Sequence, residues 1–236
     1  MSLIDSVRVL GAMARITAPT LLDLARGSIE RRAIDERARW FGRRVVELLD
    51  IQLTASGAEH VPPRAVVYMS NHQSHLDIPV LYATLPSPAI RMLAKAELFR
   101  IPLWGRGLRA AEFVEVDRSN HARAVQSIEQ AARLVRDGVS IYLAPEGTRS
   151  RDGRIGALKK GGFHLAVGTG APIVPVAIRG TIGILPRGAK VMRSGQSVSV
   201  QIGEPIDVGG RDIAGLMAQV SEFLVNNVEN GAGIPL

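Results

Sequence analysis

Cysteine is absent from the chain. That removes disulfides, thiolate metal sites and thiol nucleophiles together, and it fits a reducing cytoplasm. Aromatic residues are scarce, at 4%, and the three tyrosines and two tryptophans are not interleaved with basic residues as a surface stacking single-stranded bases would require. Nucleic acid is therefore not the expected partner. The longest uncharged apolar-leaning run in the first fifty residues, Ile16 to Leu22, falls well short of the roughly 18 residues of a membrane span. Charges recur throughout that region and no small-residue cleavage site follows, so a signal-peptide layout is missing too. There is no G-x-S-x-G nucleophile turn, no Walker A lysine and no repeat at a period of roughly 20–50 residues. Gly105-Arg106-Gly107-Leu108-Arg109-Ala110 nominally fits G-x-G-x-x-A, but no buried strand leads directly into it. Acid is nearly missing from one long segment: between Arg149 and Arg193 nine Arg or Lys face only Asp152.

That segment carries most of the net charge of +7 and creates a field that attracts phosphate, whether on anionic lipid or a phosphorylated small molecule. The 236 residues, 46% of them hydrophobic, suffice for one large core. Within residues 1–50, Leu3, Val7, Leu10 and Ala14, then Ile34, Ala38, Phe41, Val45 and Leu48, recur at spacings of three and four with arginines between them. This periodicity predicts two amphipathic helices, broken near Gly27-Ser28, with Pro19 kinking the first. Two readings fit: a hairpin packed on the core, or a pair lying in a membrane surface.

Residues 51–236 read as one α/β domain. Short apolar runs (51–56, 65–69, 90–94, 113–116, 139–143, 173–178 and 198–202) alternate with helix-like segments, among them 77–85, one from Ser119 to Arg136 and a closing helix over 213–228. The pattern predicts a mixed, largely parallel central sheet covered by helices, with ligands at the C-terminal ends of its strands.

Two loops at such ends carry chemistry. In Asn71-His72-Gln73-Ser74-His75-Leu76-Asp77, a histidine and a carboxylate lie five residues apart after the apolar run Ala65–Met69. On a continuous helix that spacing would separate the side chains by about 140°. With His72 in the loop and Asp77 in the first helical turn, the carboxylate can reach one imidazole nitrogen and leave the other to accept a proton. A polar loop with a capping aspartate fits the same residues, and so does a metal trio with His75, although no further ligand cluster completes it. In Ala144-Pro145-Glu146-Gly147-Thr148-Arg149-Ser150, a carboxylate, a guanidinium and backbone amides near Gly147 could hold a phosphate and an adjacent hydroxyl. A polar turn with Arg149 paired to Glu146 is the simpler reading.

Four blocks in order then resemble the lysophosphatidate acyltransferase (1-acylglycerol-3-phosphate O-acyltransferase) family. Asn71-His72…Asp77 resembles its NHx4D block. Lys95-Ala96-Glu97-Leu98…Pro102…Gly105…Val116-Asp117-Arg118 resembles the second, Pro145-Glu146-Gly147-Thr148-Arg149-Ser150 the third and Ile173-Val174-Pro175-Val176 the fourth.

The resemblance implies transfer of a fatty acyl group from acyl-CoA or acyl-ACP to the 2-hydroxyl of 1-acyl-sn-glycerol 3-phosphate, giving phosphatidic acid. Glycerol 3-phosphate or another lysolipid are alternative acceptors, and a non-catalytic lipid-binding protein on the same scaffold is the alternative class. His72 would be the general base and Asp77 its orienting acid. Arg118, Glu146, Gly147, Thr148 and Arg149 would bind the acceptor, and Lys95 would sit near the reacting carbonyl. No metal or other cofactor is implied. The N-terminal pair resembles the helices by which some members sit on the membrane, here its cytoplasmic face. Two positions depart from the pattern: Ala144 stands where an aromatic is usual, and Glu112 where glycine is usual.

Overall fold

The structure, a computed structural model, describes residues 3–117 and 121–230. Helices α1 (Leu3–Arg26) and α2 (Arg31–Leu48) precede β1 (Gln52–Ser56), β2 (Val67–Ser70), α3 (Asp77–Thr84) and β3 (Ile90–Lys95). Two short helices, α4 (Ala96–Phe99) and α5 (Trp104–Ala110), lead to β4 (Val114–Val116). Then follow α6 (His121–Arg136), β5 (Ser140–Leu143), α7 (Gly161–Thr169), β6 (Ile173–Arg179), α8 (Thr181–Ile184), β7 (Ser197–Ile202) and α9 (Ile213–Val228). The predicted alternation is present, with α8 as an element that its four residues were too short to announce. The cap expected at Ser119 lies outside the described residues.

The seven strands form one sheet in the order β1-β7-β6-β2-β5-β3-β4. From β6 to β4 all neighbours are parallel; β7 runs antiparallel to β6, and β1 pairs with β7 in parallel. Side chains alternate between the faces along each strand. Tyr68 and Tyr142 join Val45, Val80 and Leu81 on the side covered by α1, α2 and α3. Val67, Met69, Ile141 and Leu143 join Ala131, Phe163 and Leu216 on the side covered by α6, α7 and α9. Central strands buried on both faces explain their unbroken apolar character.

The N-terminal helices are not an appendage. Val9 and Ala12 of α1 and Phe41 and Val45 of α2 are part of the core. At Gly42 a β-carbon would lie 2.6 Å from the Pro79 carbonyl oxygen, so only glycine permits α2 to approach α3 this closely. In α1, however, Leu3, Ile4, Val7 and Leu10 point to solvent, with Leu3 70% and Leu10 60% exposed. Asp5 and Ser6 are buried instead. The stripe read from the sequence is therefore the outer face of α1. No described helix is long and apolar enough to cross a membrane.

A charged network joins this helical pair to the sheet. Arg91, 1% exposed on β3, pairs with Asp35 of α2 and lies 3.2 Å from Glu112. Glu112 also accepts two hydrogen bonds from Arg31, at 2.7 and 2.8 Å. Glu112 has φ of +59°, a left-handed conformation in which glycine is unstrained. Two arginine partnerships accompany the strained residue here.

Candidate active site

Parallel neighbours deliver their loops to one edge. β6, β2, β5 and β3 lie side by side, so the residues following Arg179, Ser70, Leu143 and Lys95 emerge together at the C-terminal edge. The loop after β2 is held from both flanks. Asn71 donates from Nδ2 to the Ile178 carbonyl and accepts the Ile178 N–H at Oδ1, both at 2.8 Å. The Ser74 hydroxyl donates to the Leu185 carbonyl at 2.8 Å.

Asp77 opens α3 and is fully buried. Its Oδ2 accepts from His72 Nδ1 at 2.7 Å, from Gln73 N–H at 2.8 Å and from Ser74 N–H at 3.0 Å. Its Oδ1 accepts from the Thr181 hydroxyl at 2.6 Å. A carboxylate only accepts, so the proton in the His72–Asp77 bond belongs to Nδ1 and the lone pair of the imidazole is on Nε2. The His72 side chain remains 22% exposed, and Nε2 has no partner among the described residues. This pair is the arrangement of a general base with its orienting acid.

Glu146 occupies a different place from the one its neighbourhood with Arg149 suggests. It is buried, and its two oxygens accept the backbone N–H groups of His72 at 2.9 Å and Gly156 at 2.8 Å. Ser150 N–H in turn donates to the His72 carbonyl at 2.7 Å, so the loop after β5 grips the His72 backbone on both sides. Burial pushes the Glu146 carboxyl above its ordinary value, against the two amide donors that favour the carboxylate. Gly147, at φ of +73°, supplies the left-handed turn that follows it.

Arg149 is half-buried and has no carboxylate partner among the described residues, so the Glu146–Arg149 pairing is not formed. Burial lowers its guanidinium's pKa, and neighbouring Arg187, whose Nη1 approaches the Arg149 carbonyl at 3.4 Å, lowers it further. Two adjacent cations with no ion-pair partner among the described residues, Asp77 acting on Arg149 without pairing with it, form a place for an anion. Thr148 is exposed beside them, and Lys95 is exposed at the end of β3 on the same edge. Arg118 lies outside the described residues. His75 is exposed and makes no hydrogen bond among the described residues, where no group of three or more His, Cys, Asp or Glu side chains could hold a metal ion.

The sequence alone does not single out Thr181 or Arg187. Thr181 carries no motif and sits 104 positions from Asp77; only the adjacency of β6 and β2 brings it there. Arg187 was visible merely as one charge in the basic segment.

Known acyltransferases resemble the chain in sequence and in fold. A chloroplastic 1-acyl-sn-glycerol-3-phosphate acyltransferase of Brassica napus is 37% identical over 152 residues, covering 64% of this chain and 44% of that protein. A 1-acyl-sn-glycerol-3-phosphate acyltransferase of Borreliella burgdorferi is 32% identical over 162 residues, covering 68% of this chain and 64% of that protein. The chain thus spans about half the length of the plant relatives it matches. The crystal structure of the 1-acyl-sn-glycerophosphate (LPA) acyltransferase PlsC from Thermotoga maritima superimposes with a TM-score of 0.84 at 29% identity, covering 99% of this chain and 98% of that one. The acyltransferase family model matches residues 52–179, from the start of β1 to the end of β6. With more than half of its residues inside that match, including both loops that meet at His72, the chain belongs to the acyltransferase family.

Proposed function

We propose that the chain moves a fatty acyl group from the thioester of coenzyme A or acyl carrier protein to the 2-hydroxyl of 1-acyl-sn-glycerol 3-phosphate, forming phosphatidate for phospholipid synthesis. The observation that carries this reading is the Nε2 of His72, free among the described residues, whose Nδ1–H is held by a buried carboxylate with three further donors, beside the cation of Arg149, which has no carboxylate partner among those residues. Nε2 takes the proton of the acceptor hydroxyl as its oxygen attacks the thioester carbonyl. The imidazolium that forms is stabilised by Asp77. When the tetrahedral oxyanion collapses, the carbon–sulfur bond breaks and the imidazolium returns its proton to the departing thiolate. No covalent acyl-enzyme is needed.

Arg149, assisted by Arg187, holds the acceptor's phosphate, and Gly147 and Thr148 lie along its glycerol. Lys95 stabilises the oxyanion. Arg118 belongs to the acceptor site by its place in the second block. Glu146 serves that site through the His72 backbone, since both of its oxygens are engaged by amides. The exposed apolar face of α1 rests on the membrane surface from which the lysolipid is taken. The reading is tested by supplying the full chain with 1-acyl-sn-glycerol 3-phosphate, glycerol 3-phosphate and other lysolipids, each with acyl-CoA and acyl-ACP. Formation of phosphatidate above the enzyme-free control is expected. Absence of acyl transfer to every acceptor would overturn it.

A further inference from the structure

A cleft of about 490 Å³ opens between α1 and α2, and none of the residues lining it belongs to the His72 site. Arg8, Ala12 and Arg15 border it from α1, and Trp40, Arg44 and Leu48 from α2. Its cations are incompletely matched. Arg8 lies 3.7 Å from Asp5, and Arg44 lies 3.0 Å from Glu47, which also reaches the cleft. Arg15 has no carboxylate partner among the described residues; its guanidinium sits over the Trp40 ring, 5.3 Å from the centroid. Three guanidiniums around a half-buried indole make a place for an anion attached to an apolar body.

The position of the cleft on α1 narrows the occupant. Val9 and Ala12 face the core, whereas Leu3, Val7 and Leu10 face outward. At 3.6 residues per turn, Arg8 and Arg15 fall roughly a third of a turn from the centre of that outer stripe. With the stripe among acyl chains, both guanidiniums come to the depth of headgroup phosphates.

We propose that this cleft binds the phosphate of an anionic phospholipid of the bilayer, with Arg15 and Arg44 as its main ligands, Arg8 beside them and Trp40 against the glycerol. The source of the lipid rests on the membrane-surface reading of α1; the chemistry of the cleft does not. It is a second lipid site, separate from the acceptor site at Arg149.

The test uses the full chain with Trp104→Phe, which leaves Trp40 as the sole tryptophan. Dihexanoylphosphatidylglycerol, titrated as monomers, should change Trp40 emission saturably, while dihexanoylphosphatidylcholine should not. Arg15→Gln/Arg44→Gln should weaken the phosphatidylglycerol response at least about tenfold. The charge-matched Arg26→Gln/Arg43→Gln, outside the cleft, should leave it within about twofold. Circular dichroism and melting monitor the fold, and Arg8→Gln, with an intermediate loss, provides an independent variant. An equal response to inorganic phosphate, an equal response to the phosphatidylcholine, or equal weakening in both double variants would overturn the proposal. Acyl transfer to detergent-dispersed acceptor should be unchanged in Arg15→Gln/Arg44→Gln, so failure of the cleft and failure of the acyltransferase reading are read separately.

Discussion

Replacing Thr181 by valine keeps the side-chain shape and deletes one hydroxyl. In the fully buried site that hydroxyl is the donor to Asp77 Oδ1, at 2.6 Å. Hydrogen bonds to charged groups contribute about 1.5–3 kcal/mol net, and the oxygen left behind is buried without another donor among the described residues. For a chain of this size each kcal/mol moves the melting temperature by roughly 2–4 °C, so thermal unfolding is expected to fall by roughly 3–12 °C. Catalysis should suffer much less. Oδ2 keeps its donors from His72, Gln73 and Ser74, so the proton stays on Nδ1 and Nε2 stays available. A fall in kcat below about tenfold, equivalent to about 1.4 kcal/mol, is expected. Thr181→Ser retains the donor and should lie between the two proteins in stability. Thermal melts and acyl-transfer rates on the same preparations decide the matter. A Thr181→Val protein melting within about 1 °C of the parent would show that the hydroxyl does not stabilise Asp77, and a loss of activity equal to that of removing His72 would show that Oδ2 alone does not hold the imidazole.

Other consequences concern single contacts. Arg149→Ala should raise the KM for a phosphorylated acceptor at least about tenfold and leave that for the thioester nearly unchanged; an equal rise in both would remove the phosphate role. Glu112→Gln should cost about 1–2 kcal/mol in urea unfolding, discounted for the partial exposure of its carboxylate and the survival of the Arg91–Asp35 contact. The hydrogen bond from Arg31, with Arg91 beside it, holds the Glu112 carboxyl below its ordinary value. Its contribution is therefore complete above the ordinary carboxylate range and lost as pH falls through the depressed folded value. The difference between the parent and the Glu112→Gln protein should be constant from neutral pH to the ordinary carboxylate range and shrink below it; growth of the difference in acid would contradict this. Val7→Gln/Leu10→Gln should weaken binding to neutral vesicles without lowering the melting temperature, because both side chains are more than half exposed; unchanged sedimentation would count against α1 as the contact face.

How much could be read in advance depended on how far apart the cooperating residues lie. The strands at 67–70 and 140–143 announced themselves because burial on both faces demands continuous apolar runs. His72 and Asp77 were legible because both members and the strand-to-helix turn between them fall within one short stretch. Thr181 was not, since its proximity to Asp77 is made by the β2–β6 pairing. The resemblance of its block points Glu146 to the acceptor, while its two backbone partners come from loops that only the fold brings together. In α1 the spacing predicted a helix but not its orientation: Leu3, Val7, Leu10 and Ala14 share a three-and-four rhythm with Asp5, Val9, Ala12 and Ile16, and packing selected the second set for the core. Arg91 lies inside the run 90–94, and its place there depends on Asp35 and Glu112, 56 and 21 positions away.

In the proposed mechanism Nε2 of His72 removes the acceptor's proton. The most direct measurement is single-turnover acyl transfer to 1-acyl-sn-glycerol 3-phosphate by the His72→Ala protein, after its melting temperature has been shown to match the parent's. Loss of a general base predicts a rate lower by roughly 10²–10⁴-fold with acceptor affinity retained. A folded His72→Ala protein that transfers the acyl group at close to the parent's rate would contradict it.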